Sequence, residues 1–156
     1  MATSGENTGH THPQSTAKIG GHPIHPMLVP FPIVCFILAF VCDILFGQGH
    51  TELATASDWL LGIGLVMAAL AALAGLTDFF GEKRIQAGDA IKHMLANVTA
   101  VVLELINLLL RIKNPDFIGT TGVYISLVVV LILLYSGWKG GDLVYRHGMG
   151  VDDTSD

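Results

Sequence analysis

The stretch FIGTTGVYISLVVVLILLYSGW, residues 117–138, contains no charged residue. A run of about 20 apolar residues spans the roughly 30 Å hydrocarbon core of a bilayer. Its valines and isoleucines would favour a strand in water. In lipid, however, every backbone polar group needs a partner inside the segment, so the run predicts a helix. Three further runs are predominantly apolar and of similar length, at residues 27–46, 59–80 and 93–112. The connections between them are short, which makes neighbouring helices antiparallel. The expected fold is all-α, an integral membrane four-helix up-and-down bundle.

The composition agrees. The chain has 156 residues, 51% hydrophobic and only 13% charged, where a soluble domain is nearer a quarter charged. The formal net charge of -5 says little, because much of it lies in the polar ends. No basic run points to nucleic acid, and the expected surroundings are a lipid bilayer. No nucleophile elbow, phosphate loop or zincin motif is present, so the sequence neither assigns nor denies an enzymatic turnover. Cys35 and Cys42 share a helix face but stand about 10 Å apart along the axis, too far for a disulfide. They read as packing residues.

The expected organisation is a disordered N-terminal tail over residues 1–21, a four-helix domain over 22–148 and an acidic C-terminal tail over 149–156. The first segment is rich in Gly, Ser, Thr and His with one basic residue, Lys18. It lacks the basic start and apolar core of a secretory signal. Its His10 and His12 read as solvated. For orientation, Lys18, Lys83, Arg84, Lys92, Lys139 and Arg146 fall on the side of the two termini, and Arg111 and Lys113 on the other. The positive-inside rule then places both termini in the cytoplasm. Pro26, Pro30 and Pro32 crowd the start of the first run and predict a kink there. Gly64, Ala68, Ala71, Ala72 and Gly75 form a small-residue stripe that permits close helix contact.

An up-and-down bundle brings His22, His25, Asp78, His93, Asp142 and His147 to one membrane face. Histidines and carboxylates at one depth suit a metal, a haem or proton transfer. Haem b needs axial ligands on facing helices, and His25 with His93 is the expected pair, with His22 and His147 as further candidates. A non-haem metal would draw on three or four of these histidines plus Asp78 or Asp142, with carboxylates also orienting the imidazoles. A cluster that only stabilises the bundle or handles protons is the alternative, with no cofactor at all. Within the third run, His93, Asn97, Glu104 and Asn107 share one helix face. A carboxylate there should turn inward. Glu104 is therefore expected among buried polar partners, in a structural hydrogen bond or a proton relay. Asp43 is expected to reach the far interface.

Two stretches carry a resemblance. They are Gly21-His22-Pro23-Ile24-His25-Pro26-Met27-Leu28-Val29-Pro30-Phe31-Pro32 and Gly140-Gly141-Asp142-Leu143-Val144-Tyr145-Arg146-His147-Gly148, with Thr77-Asp78 and His93 in support. Over roughly residues 20 to 150 the chain resembles a bacterial membrane-protein family named only as domain of unknown function 2231. The resemblance implies four transmembrane helices. Some relatives in that family look to be fused to Rieske-type iron–sulfur or cytochrome domains, which implies redox chemistry. The leading expectation is therefore a haem b centre for electron transfer, partnered by a redox protein or larger complex. A metal-binding or proton-coupled transport subunit is the alternative, and a structural subunit of a membrane complex is a third.

Overall fold

The structure is a computed structural model that describes residues 12–85 and 88–151. His10, the start of the N-terminal tail and residues 152–156 of the acidic tail lie outside the described residues. Four helical segments are long and apolar enough to cross a membrane: Ile24–Gly47, Thr51–Gly81, Asp89–Lys113 and Pro115–Tyr145.

The first segment is split. Helix α1 (Ile24–Leu28) is followed at once by α2 (Pro30–Gly47), and Val29 between them keeps helical angles, φ -55 and ψ -35. The expected kink is thus a mild break. Pro30 sits at the first position of α2, where a missing N–H costs little. Helix α3 spans Ala54–Gly81, α4 Asp89–Lys113 and α5 Val123–Tyr145. A π-helical turn over Ile118–Gly122 leads into α5.

Helix α2 packs along α3 and α4 along α5, while α2 against α5 and α3 against α4 close the bundle. The core is a thin apolar layer of Phe36, Ala39, Leu61, Ala68, Ala100 and Val129. Gly64 permits its tightness, because a Cβ there would stand 2.6 Å from Cε1 of Phe36. Gly64, Ala68 and Ala71 of the small-residue stripe are buried, whereas Ala72 faces outward. Large side chains such as Trp59, Val66, Leu73, Leu131, Leu134 and Trp138 are exposed around the outside. In water such a surface would drive aggregation; in a bilayer it is the lipid contact.

At the end of the bundle that carries both termini, residues 12–21 lie against the helices. Short strands β1 (Lys18–Ile19) and β2 (His22–Pro23) pair antiparallel, and the backbone N–H of Gly150 donates to the Pro13 carbonyl. We call this the terminal end and the opposite one the turn end.

Candidate functional site

At the terminal end two imidazoles from different helices meet. His25 comes from α1 and His93 from the first turns of α4, with ring centroids 6.1 Å apart and planes at 87°. Each ring is clamped by a third helix or a fourth. Nδ1 of His25 lies 2.8 Å from the Ala71 carbonyl of α3. Nδ1 of His93 lies 2.9 Å from the Ser136 carbonyl of α5 and 3.1 Å from its hydroxyl. Glycines make room for both: a Cβ at Gly75 would stand 2.9 Å from the His25 ring, and one at Gly140 would stand 3.1 Å from the His93 ring. A carbonyl can only accept, so each Nδ1 carries a proton, and in the neutral ring Nε2 holds the lone pair. Asn97, one turn on from His93, donates to that Nε2 at 3.1 Å and to the His93 carbonyl at 2.9 Å.

The other four residues of the expected cluster have different partners. Asp78 closes α3 and is capped by the N-terminal segment: one carboxylate oxygen accepts from the Ser15 hydroxyl at 2.8 Å and from the N–H groups of Thr16 and Ala17 at 2.7 and 2.8 Å. Asp142 pairs with Lys139 at 3.0 Å and with Arg146 at 3.1 Å. Lys139 also reaches Asp89 at 3.1 Å. His147 stands 3.7 Å from Asp89, at the rim of a pocket of about 350 Å³ lined by Pro13, Arg84, Ile85, Gly88, Asp89 and Leu143. His22 is exposed on β2. Among the described residues no three His, Cys, Asp or Glu side chains converge as a metal ion would need. The six-residue cluster resolves into one histidine pair, two separate sets of polar contacts and the exposed His22.

Just outside the spans, Glu82 continues this terminal surface. The Arg84 side chain donates to it and, with the N–H groups of Arg84 and Gln14, holds its carboxyl down at about 2.

A second polar centre lies at the turn end. The guanidinium of Arg111, 1% exposed, forms a bidentate pair with Asp43, 0% exposed. Nη1 also donates to the Ser57 hydroxyl at 2.8 Å, Nη2 to Ser126 at 3.2 Å and Nε to Asn107 at 2.9 Å. Ser57 and Ser126 in turn donate to Asp43 at 2.6 and 2.7 Å. The amide of Asn107 donates to Glu104 at 2.9 Å, to Ser126 at 3.0 Å and towards the Gly122 carbonyl of the π-turn at 3.4 Å. Four helices meet in this network. Sequence reasoning missed Asp43, Ser57, Arg111, Ser126 and Ser136 as site residues. A signal for Arg111 was present, since it continues the inward face of α4 four residues after Asn107.

Four apolar spanning helices with lipid-compatible exteriors and polar side chains sequestered between them define an integral membrane bundle protein. Residues 21–153 match the family described as predicted membrane protein, domain of unknown function 2231, and the chain belongs to that family. No curated protein and no solved structure matches it.

Proposed function

We propose that this protein is a redox subunit of a bacterial inner membrane, with both termini cytoplasmic, and that His25 and His93 are the axial ligands of one haem b. The observation that carries the reading is the pair of imidazoles on different helices, each with Nδ1 donating to a backbone carbonyl. That hydrogen bond orients the ring, fixes the lone pair on Nε2 and raises its basicity.

The number of donors favours haem over a bare ion. A zinc-like ion takes three or four protein ligands, and the pair offers two. Haem iron draws its equatorial nitrogens from its own macrocycle and asks the protein for axial ligands alone. The 6.1 Å centroid separation brings the two imidazoles together at one depth. Bound there, the group would supply a one-electron couple at the membrane face. His93 would release the hydrogen bond from Asn97 to do so, while Asn97 keeps its bond to the His93 carbonyl. A redox protein docking at the terminal end is the partner this reading calls for.

The same Asn97 bond favours a second reading. With both nitrogens of His93 satisfied by protein groups, that ring needs no cofactor, and the pair would serve as a proton-handling station, as in a proton-coupled subunit. A visible spectrum of protein purified from haem-supplied cells separates the two. The haem reading expects a Soret band that His25→Ala and His93→Ala each abolish while far-ultraviolet helicity is kept. A folded protein with no such band sinks it and leaves the proton-handling reading.

A further inference from the structure

Glu104 sits within the second polar centre, 0% exposed, and its Oε1 has no hydrogen-bond partner among the described residues. Its other oxygen accepts a single bond, from Asn107. The charge that could neutralise it is already committed. Both oxygens of Asp43 engage Arg111, and the five guanidinium protons go to Asp43 twice, Ser57, Ser126 and Asn107. The Asp43–Arg111 pair is therefore neutral and saturated. An ionised Glu104 would be an uncompensated charge in a medium of low dielectric, which is far more costly than one unpaired hydroxyl. Neutral, it is a carboxylic acid held between four helices.

The surroundings are asymmetric. From α2 the facing charge is Asp43, and from α4 it is Arg111. From α3 comes Asp58, behind Arg111 at 3.9 Å, with a side chain 37% exposed and a buried oxygen that also lacks a hydrogen bond. From α5 comes the uncharged Ser126, and from the π-turn before it the Gly122 carbonyl. Toward the terminal end, Phe36, Leu61, Ala68, Ala100 and Val129 fill the bundle. Glu104 and Asp58 thus both lie on the turn side of an apolar layer, Glu104 fully buried and Asp58 part-exposed.

We propose that Glu104 is a proton-binding site within the membrane that exchanges its proton with the water at the turn end, with Asp58 as the surface station. Its ligand is the proton itself, taken up as Glu–COO⁻ plus H⁺ gives Glu–COOH, with no other reactant. The site is separate from the histidine pair and does not depend on any cofactor there.

Infrared spectroscopy of the protein in lipid at neutral pH tests it. A carboxylic-acid C=O band is expected that Glu104→Gln removes and that moves to lower frequency in D2O. Should Glu104→Gln fail to fold, Glu104→Asp should displace the band instead. Asp58→Asn should keep the band and slow its D2O shift at least tenfold. A spectrum with no acid band attributable to Glu104 overturns the proposal. So does a band that never responds to D2O, which would mark a sealed structural acid. An exchange rate unchanged in Asp58→Asn removes Asp58 as the surface station.

Discussion

Arg111 shows how far a single side chain can depart from its reading in sequence. Counted as a loop-flanking charge, it instead turns inward and is 1% exposed. Its long apolar stem and five donors let it reach three other helices. The sequence reading of α4 ended at Asn107, because the next polar residue on that face looked like part of the turn. Asp43 was misjudged for the same reason: alone near a helix end, a carboxylate looks interfacial until its partner is known. Their pairing predicts a sharp asymmetry between single and double substitution. Arg111→Met should cost about 3–5 kcal/mol, because it leaves Asp43 buried without a counter-charge. Asp43→Leu together with Arg111→Met should recover most of that loss, since no buried charge remains. Thermal unfolding in detergent measures both. Wild-type stability in Arg111→Met would remove the pair from any account of the fold.

At the level of elements, periodicity and hydropathy were sufficient for four helices and their antiparallel order, because lipid leaves the backbone few alternatives. The π-turn over Ile118–Gly122 was not legible. It presents the Gly122 carbonyl to the Asn107 amide of α4 at 3.4 Å, a contact between elements that no sequence pattern gives. Small residues decide how closely the helices approach. A Cβ at Gly64 would meet the Phe36 ring at 2.6 and 2.9 Å, whereas one at Gly62 meets nothing within 4 Å. Phe36 is 1% exposed and cannot swing away. Gly64→Ala should therefore destabilise by about 1–3 kcal/mol through overpacking. Gly62→Ala should be neutral or gain up to about 1 kcal/mol from helix propensity. Equal melting temperatures for the two variants would contradict the close α2–α3 contact. The N-terminal segment is the element that sequence reasoning placed least well. Its polar composition looks like a solvated tail, yet its backbone N–H groups cap Asp78 and reach Glu82. The depressed carboxyl of Glu82 sets a sign for its pH dependence. A folded value below the ordinary 4.5 means that this contact stabilises above 4.5 and is lost as pH falls toward about 2. The Gln14 amide, which donates to Glu82, should lose hydrogen-exchange protection across that window. Glu82→Gln should abolish the step. Protection that stays constant through the window would count against Glu82 as the anchor.

Across the whole molecule, polar groups gather at two depths with an apolar waist between them. His93 and Arg111 lie eighteen residues apart on α4, about 27 Å along the axis and close to the hydrocarbon thickness. The topology that makes the helix ends coincide could be read from sequence, which is why His25 and His93 could be named together. Which other side chains join them could not. Asp78, Asp142 and His147 are claimed by Ser15, Lys139 and Asp89 through contacts that depend on loop paths. The same architecture sharpens the case for orientation. Lys18, Lys83, Arg84, Lys92, Lys139 and Arg146 belong to the terminal end, while at the turn end Arg111 is neutralised inside the bundle by Asp43. Lys113 is then the only unburied basic residue at that end among the described residues. Basic residues near span ends are what resist translocation, and with Arg111 buried their balance falls on the terminal end. Reporter fusions should be active on the cytoplasmic side when joined after Val151 and on the opposite side when inserted at Gly49. Gly49 suits the insertion because it sits in the exposed α2–α3 connection with φ 106 and open space around it. Adding two lysines beside Gly49 should weaken the preference, and adding them beside Gly148 should not. A fusion at Gly49 that reports from the cytoplasm would invert the assignment, moving the histidine pair to the outer face and the Glu104 centre to the inner one.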